Sequence, residues 1–252
     1  MTPVADPHRR SIAIVANRLV YGLSRHWLLL FGLSWGVFIG LPWLAPVAMK
    51  LGWNGIGRAI YLFYATQCHQ MPQRSFFLFG PKAMYSLAEI QAAWQPTTNP
   101  LILRQFMGNP AMGWKVAWSD RMVFMYGSLL LWGLLYWPLR HRLKPLRLWS
   151  FALLLLPMIM DGVTHAISDF AIGIGSGFRD TNTWLAVLTN HALPATFYVG
   201  DAPGSFNSWA RLITGMLFGL GVVWLLYPYL ESGFTDTAGR IEDKFRRAGL
   251  SL

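Results

Sequence analysis

Residues 27 to 48 read WLLLFGLSWGVFIGLPWLAPVA, twenty-two positions without one charged side chain. A helix needs about 20 mostly apolar residues to cross the roughly 30 Å of hydrocarbon in a bilayer. Three further stretches of similar character follow along the chain, at 122–139, 146–166 and 209–230. The pattern predicts an all-α, polytopic membrane protein, built as an antiparallel bundle of about four transmembrane helices.

Composition and charge agree with a membrane protein and argue against a nucleic-acid-binding one. Of the 252 residues, 54% are hydrophobic and 13% charged, which is too apolar for an ordinary soluble domain. The net charge is +10, but twelve of the 21 basic residues lie in three short segments that flank the predicted spans. These are Arg9, Arg10, Arg18, Arg25; Arg140, Arg142, Lys144, Arg147; and Arg240, Lys244, Arg246, Arg247. Because basic segments stay on the cytoplasmic side, we expect a multi-pass protein of the cell membrane with both termini cytoplasmic.

The remaining segments are interpreted as parts of one integral membrane domain that covers residues 1–252. Residues 8–26 predict an interfacial helix, and 27–48 an uncleaved anchor rather than a signal peptide. We expect an outer connection over 49–121, with a short re-entrant or interfacial helix at 58–67, a surface helix that starts at Ser86, and an ordered loop over 95–114. Residues 231–252 are expected to form a cytoplasmic tail.

Two ridges of glycine four residues apart occur in the spans. The first span carries Gly32, Gly36 and Gly40, and the last carries Gly215 and Gly219. Such ridges let helix backbones approach closely, either within one chain or between chains. The spacing is therefore compatible with intramolecular packing, with a homo-oligomer, and with a partner protein in a membrane complex.

Polar side chains are predicted to converge at the outer ends of the helices. The candidate cluster comprises Cys68, His69, Gln70, Arg74, Asp120, Arg121, Tyr126, Asp161, His165, Arg179, Asn182 and Arg211. Asp161 falls about one turn inside its span, where an ionised carboxylate requires a cationic partner. We expect that partner to be Arg121 or Arg211.

Two interpretations of this cluster remain open. It is either a network of hydrogen bonds and ion pairs that fixes helix register, or a site where Cys68, His69, Asp161 and His165 bind a transition metal. The first suits a binding or scaffold protein. The second suits a metal- or cofactor-dependent redox protein, or an enzyme that acts on a lipid-soluble substrate at the outer face. One cysteine excludes an intramolecular disulfide.

Four motifs resemble a known family. CHQMPQRSFFLFG (68–80), SDRMVFMYG (119–127), DGVTH (161–165) and SWARLITGMLFG (208–219) are similar to predicted membrane proteins classed as domain of unknown function 2085. The resemblance implies a recurring site around Cys68, His69, Gln70 and Arg74, and no established activity. Many relatives have cysteines where this chain has Ser119 and Met122, while Arg121 and Tyr126 match. If the family site is a thiolate metal centre, this chain has lost or remodelled it.

Overall fold

A computed structural model describes residues 7–252, apart from the side chains of Pro7 and Arg9. The helices are α1 (Pro7–Arg25), α2 (Trp27–Lys50), α3 (Asn54–Tyr64), α4 (Leu87–Ala93), α5 (Pro100–Leu103), α6 (Asp120–Leu139), α7 (Leu148–Ala171), α8 (Phe178–Thr181), α9 (Thr183–Leu188), α10 (Ala195–Tyr198) and α11 (Phe206–Arg247). The strands are β1 (Ser75–Leu78), β2 (Gly108–Asn109) and β3 (Gly113–Ser119), and a short 3₁₀ turn occupies Pro72–Arg74.

Four of the described helices, α2, α6, α7 and α11, are long and apolar enough to cross a membrane. They are the four predicted spans, so the polytopic all-α prediction is confirmed. Their ends differ from the predicted ones, most of all at the C-terminus, where α11 does not stop at Leu230 but continues to Arg247. At 1.5 Å per residue its 42 residues measure about 63 Å, well beyond the hydrocarbon thickness. The predicted tail is thus largely helical.

The continuation of α11 is explained by its packing against α1. Phe234, Ala238, Ile241 and Phe245 recur at helical spacing, and the last three are buried. Tyr21 in α1 donates a hydrogen bond to Glu242 (2.7 Å), which joins the two helices. The other side of α1 exposes apolar side chains, and these are Ile12, Val15, Leu19 and Leu23. That this side contacts lipid stays a prediction.

The long connection between α2 and α6 contains more regular structure than the sequence predicts. The expectation of a loop over 95–114 is wrong in part, because α5 and β2 lie within it. β1, β3 and β2 form a small antiparallel sheet in that order. Periodicity does not reveal strands this short, since two to seven residues are too few to establish alternation. The surface helix is confirmed as α4, with the capping box of Ser86 and Glu89 formed.

The two glycine ridges have different environments. A Cβ added at Gly215 or Gly219 would meet α6, at Phe124 and Met125 or at Ser128. The ridge of α11 therefore serves packing within the chain. A Cβ at Gly32, Gly36 or Gly40 would meet nothing within 4 Å among the residues that the structure describes. Association with another chain through the α2 ridge stays a prediction.

One end of the bundle carries the sheet and is called the sheet end below. α2 and α7 finish there and α6 and α11 begin there, because β3 runs from Gly113 to Ser119 and leads directly into α6 at Asp120. Trp118 is fully buried on this side of the molecule, in contact with Phe38, Tyr64 and Tyr126. The sheet thus anchors the start of α6 against α2 and α3, and it positions the polar residues that follow.

Candidate functional site

Arg211, on the first turns of α11, is the centre of the polar cluster at the sheet end. Its Nη1 donates to Oδ2 of Asp120 (2.9 Å), and its Nη2 donates to Oδ1 of Asp201 (2.6 Å). Nε2 of His165 lies 3.4 Å from the same Nη2. Arg211, Asp120 and His165 come from three different spans, and all are buried. The arginine therefore joins α6, α7 and α11 at one point.

Arg74 extends this cluster to the segment that follows α3. Its Nη1 and Nη2 form a bidentate pair with Asp169 (2.6 and 2.9 Å), and its Nε donates to Asp201 (3.0 Å). Asp180 lies 3.5 Å from Nη2. Burial would lower the pKa of Arg74, but Asp201 and Asp169 outweigh it and raise that pKa. Burial would likewise raise the pKa of Asp201, but Arg211 and Arg74 hold it below its usual value.

Asp161 in α7 pairs with two arginines at once. Its Oδ2 lies 2.6 Å from Nη1 of Arg121, and its Oδ1 accepts a hydrogen bond from Nη2 of Arg179 (2.6 Å). The prediction of Arg121 as a partner is confirmed. The alternative partner, Arg211, is wrong, because its guanidinium is engaged by Asp120 and Asp201.

The loop before α11 holds Arg179 in place. Asn182 adopts a left-handed backbone conformation (φ 42°), and its Nδ2 donates to the carbonyl oxygen of Arg179 (2.8 Å). Asn207 donates to the same oxygen (2.7 Å) and accepts a hydrogen bond from Arg179 Nη2 (3.1 Å). The guanidinium also lies over the ring of Phe206, 5.2 Å from its centroid. Two asparagines and one aromatic ring thus aim Arg179 at Asp161.

Cys68 lies in a second group of polar contacts, between α3 and the sheet. Its Sγ accepts hydrogen bonds from the backbone N–H groups of Gln70 (3.3 Å) and Ser119 (3.4 Å). Gln70 has a positive φ of 51°, which is uncommon for a residue with a side chain. Gln70 Nε2 donates to the carbonyl oxygen of Tyr61 (2.8 Å), a contact that holds this turn.

Lys115 is a fully buried lysine beside Cys68 and Gln70. Its Nζ donates to the carbonyl oxygens of Gln70 (2.8 Å) and Arg104 (2.7 Å). No carboxylate lies within ion-pair distance of it among residues 7–252. Burial lowers the pKa of Lys115 to about 7, so its ammonium form is only partly populated at neutral pH.

A cavity of about 620 Å³ lies between these two groups of contacts. One part of its wall is polar and includes Arg74, Arg104 and Arg121. Another part is apolar, formed by side chains of the segment after α3, of α5, α6 and α7, and of the loop after α7: Met71, Leu101, Met122, Phe170 and Ile174. Leu101 and Phe170 are 66% and 92% exposed, so an apolar rim borders the cavity. The site thus combines cationic and apolar surfaces.

The structure brings most of the predicted cluster to this cavity. Eight of the twelve predicted residues line it: Cys68, His69, Gln70, Arg74, Asp120, Arg121, His165 and Arg211. Asp161, Arg179 and Asn182 lie behind the wall and orient it through the contacts given above. Tyr126 packs on Trp35 and Trp118 instead and takes no part in the ion pairs.

The arrangement of the predicted ligands does not support the metal hypothesis. No three His, Cys, Asp or Glu side chains in the described part of the chain are grouped so that they could hold a metal ion. Cys68 contacts Ser119, Asp161 contacts two arginines, and His165 contacts Arg211. Three of the four predicted ligands, all but His69, therefore have separate partners.

Sequence reasoning missed residues that matter as much as those it found. These are Arg104, Lys115, Asp169, Asp201 and Asn207. Asp201 joins Arg74 to Arg211, which are 137 positions apart in the chain. The available signal was the scarcity of acids, since the chain has only 11 Asp and Glu residues and each acid near a span end requires a partner.

Comparison with known proteins finds a family model that matches part of the chain. A family model described as "Predicted membrane protein (DUF2085)" matches residues 110–225. Over these residues the chain is therefore similar to this family of predicted membrane proteins. The matched residues include Lys115, Asp120, Asp161 and Arg211, whereas the Cys68 motif precedes them.

The chain is also similar to an uncharacterised protein of Methanocaldococcus jannaschii. The two are 26% identical over 204 residues, which cover 78% of this chain and 87% of the relative. No solved structure matches the chain. The comparisons thus describe a membrane protein and give no activity for it.

Proposed function

We propose that the protein is a binding protein that holds an amphiphilic ligand in the cavity at the sheet end. The observation that supports this most strongly is the division of the cavity wall into a cationic part and an apolar part. A volume of about 620 Å³ falls in the range of small-molecule sites, roughly 300 to 1,000 Å³. A ligand with a polar head and a hydrocarbon chain would satisfy both parts of the wall.

The rim supports a ligand that arrives from the bilayer. Phe170 lies at the C-terminal end of α7, one of the membrane spans, and Leu101 belongs to the short helix α5. Both side chains line the cavity and are largely exposed. Apolar side chains at a span end favour partition of a hydrocarbon chain rather than of a fully polar solute.

The proposal can be tested with probes that share a twelve-carbon chain. Native mass spectrometry in a nonionic detergent would count bound dodecyl phosphate, dodecanol and dodecyltrimethylammonium. We expect one tightly bound copy of at least one probe. Ala166→Trp, in the cavity wall, should abolish it by filling the space. Val163→Trp, on the same helix, is half exposed and outside the cavity, and it should retain binding. If no probe binds, or if both variants bind equally, the proposed function is wrong.

We further propose that the sheet end faces the outside of the cell membrane and that both termini are cytoplasmic. The three basic segments lie at the opposite ends of the spans, in agreement with the positive-inside tendency. Single cysteines at Thr97 and Lys144, in a Cys68→Ser background, would be treated with an impermeant thiol reagent in intact cells. Thr97→Cys should be labelled and Lys144→Cys protected. The reverse pattern would invert the orientation.

The rival hypothesis is a redox protein or an enzyme that uses His69, Asp161 and His165 as ligands or as acid and base groups. Two arginines already engage Asp161, which leaves it poorly suited to a metal or to a substrate proton. Elemental analysis of the purified protein distinguishes the two. A stoichiometric transition metal that disappears in His69→Ala or His165→Ala would support the rival.

A further inference from the structure

We propose that the head of the ligand is an oxyanion, a carboxylate or a phosphate, bound by Arg121 together with Arg104. This inference rests on the proposed function and names the chemical class of its ligand. It depends on which nitrogen atoms of the cavity wall have partners and which do not.

Arg121 presents an unused edge of its guanidinium group. Nη1 pairs with Asp161, whereas Nε and Nη2 donate to no described residue. The side chain is 20% exposed, so the group is accessible at the cavity wall. Nε and Nη2 form the side-on edge of guanidinium, whose two parallel N–H bonds match the oxygen spacing of a carboxylate or phosphate. The ion pair between Nη1 and Asp161 orients the guanidinium group.

Arg104 is a second cation with donors to spare. Its Nη2 donates to the carbonyl oxygen of Ala65 (2.8 Å), and Nε and Nη1 have no partner in the described part of the chain. No carboxylate lies within ion-pair distance of it among the same residues. Arg104 thus carries an uncompensated positive charge at the cavity wall. An anion in the cavity would compensate it.

The other charged groups of the wall are already satisfied. Arg74 uses all three of its guanidinium nitrogens on carboxylates, and Arg211 uses both of its terminal nitrogens. Asp120 is fully buried against Arg211, and both oxygens of Asp169 accept hydrogen bonds from Arg74. No free carboxylate of the wall would therefore repel an anionic head, and the cationic side chains of the wall with two unpartnered nitrogens are Arg104 and Arg121.

The chemistry of the head decides the order of affinities. Hydrogen bonds to charged groups contribute about 1.5 to 3 kcal/mol each, which corresponds to roughly a tenfold or larger change in affinity. An alcohol head can make such bonds only as a neutral acceptor, and a quaternary ammonium head would be repelled by Arg104. Dodecyl phosphate and dodecanoate should hence bind more tightly than dodecanol, and dodecanol more tightly than dodecyltrimethylammonium.

The experiment is a native mass spectrometry titration of the full chain with these four probes and with inorganic phosphate. We expect Arg104→Gln and Arg121→Gln each to weaken dodecyl phosphate binding by about tenfold or more. Arg121→Lys should recover only part of that loss, because lysine keeps the charge but lacks the bidentate edge. Arg142→Gln, an exposed arginine at the opposite end, is the matched control and should bind as wild type does. Melting curves identify any variant that fails to fold. We expect Arg104→Gln to fold, because Arg104 forms no ion pair with the described residues.

The outcomes separate this inference from the proposed function. Equal affinity for dodecanol and dodecyl phosphate, with binding still abolished by Ala166→Trp, would overturn the oxyanion head and leave the amphiphile site standing. If inorganic phosphate bound as tightly as dodecyl phosphate, the hydrocarbon chain would contribute nothing to binding, and the amphiphilic ligand would be contradicted. If Arg104→Gln and Arg121→Gln both bound dodecyl phosphate as tightly as wild type, the head of the ligand would not be bound by these two arginines.

Discussion

The double ion pair of Asp161 makes a strong stability prediction. Replacing Asp161 by alanine leaves two guanidinium groups without their shared carboxylate in the interior of the sheet end. Arg179 is the more deeply buried, with 7% of its side chain exposed, and Arg121 has 20% exposed. Asn207 and Thr164 still accept hydrogen bonds from Arg179, but neither carries a charge. The variant therefore has an uncompensated buried cation.

The expected loss follows from this burial. Breaking a buried ion pair by removing one partner costs about 3 to 5 kcal/mol. Arg179 should account for most of that amount, and Arg121 for less because it can be hydrated from the cavity. For a chain of this size 1 kcal/mol shifts the melting temperature by roughly 2 to 4 °C, so we expect Asp161→Ala to melt about 6 to 20 °C below wild type.

Thermal unfolding in detergent, followed by tryptophan fluorescence, provides the measurement. The double variant Asp161→Leu with Arg179→Met removes the attraction between the two charges together with the cost of desolvating them. It should therefore recover at least half of the stability that Asp161→Ala loses. Asp243→Ala is the matched control, because Asp243 pairs with Arg246 on the exposed surface of α11 and should shift stability by less than about 1 kcal/mol. A wild-type melting curve for Asp161→Ala, or a double variant no more stable than the single one, would refute the ion-pair argument.

Two further predictions concern packing and pH. Gly219→Ala should destabilise the protein by about 1 to 3 kcal/mol, because the added Cβ would press on Ser128 in α6, whereas Gly36→Ala meets open space and should melt at or slightly above the wild-type temperature. Lys115 has its pKa lowered to about 7 in the fold and titrates near its usual 10.5 when unfolded, so between these pH values the unfolded chain binds more protons and stability rises with pH. In this pH range the free energy of unfolding of wild type should rise by up to about 1.4 kcal/mol per pH unit more than that of Lys115→Met. Melting temperatures of both proteins at pH 7, 8 and 9 would measure this difference. If the melting temperatures of both proteins changed equally with pH, the lowered pKa of Lys115 would be contradicted.

The spans could be predicted from the sequence because their signal is local. Hydropathy over about 20 residues, together with the basic residues that flank it, locates α2, α6, α7 and α11 without knowledge of their neighbours. The start of α11 at Phe206 and its end at Arg247 could not be located in this way. The start depends on a side-chain cap from Ser205, and the end depends on burial of Ile241 and Phe245 against α1. Both are tertiary or capping effects that average hydropathy does not contain.

The pairing within the cluster is non-local, and this is why only its membership was predictable. Once α7 runs antiparallel to α6 and α11, Asp120, Asp161 and Arg211 must share one end of the bundle. Which carboxylate meets which arginine depends on ångström-scale placement, and Arg211 was as reasonable a partner for Asp161 as Arg121. The left-handed turn at Asn182 decides it, because that turn brings Arg179 to Asp161 and leaves Arg211 to Asp120 and Asp201.

The same pairing explains why Arg121 is available to a ligand. The ion pairs of the sheet end join five aspartates to four arginines. The aspartates are Asp120, Asp161, Asp169, Asp180 and Asp201, and the arginines are Arg74, Arg121, Arg179 and Arg211. Among the described residues, the guanidinium of Arg74 pairs with three of these acids, that of Arg121 pairs with Asp161 alone, and that of Arg104 pairs with none. Because Arg179 already neutralises Asp161, the charge of Arg121, which lines the cavity, is only partly compensated. Replacing Arg179 by methionine should therefore draw Arg121 more firmly onto Asp161 and weaken anion binding without a contact to the ligand being lost.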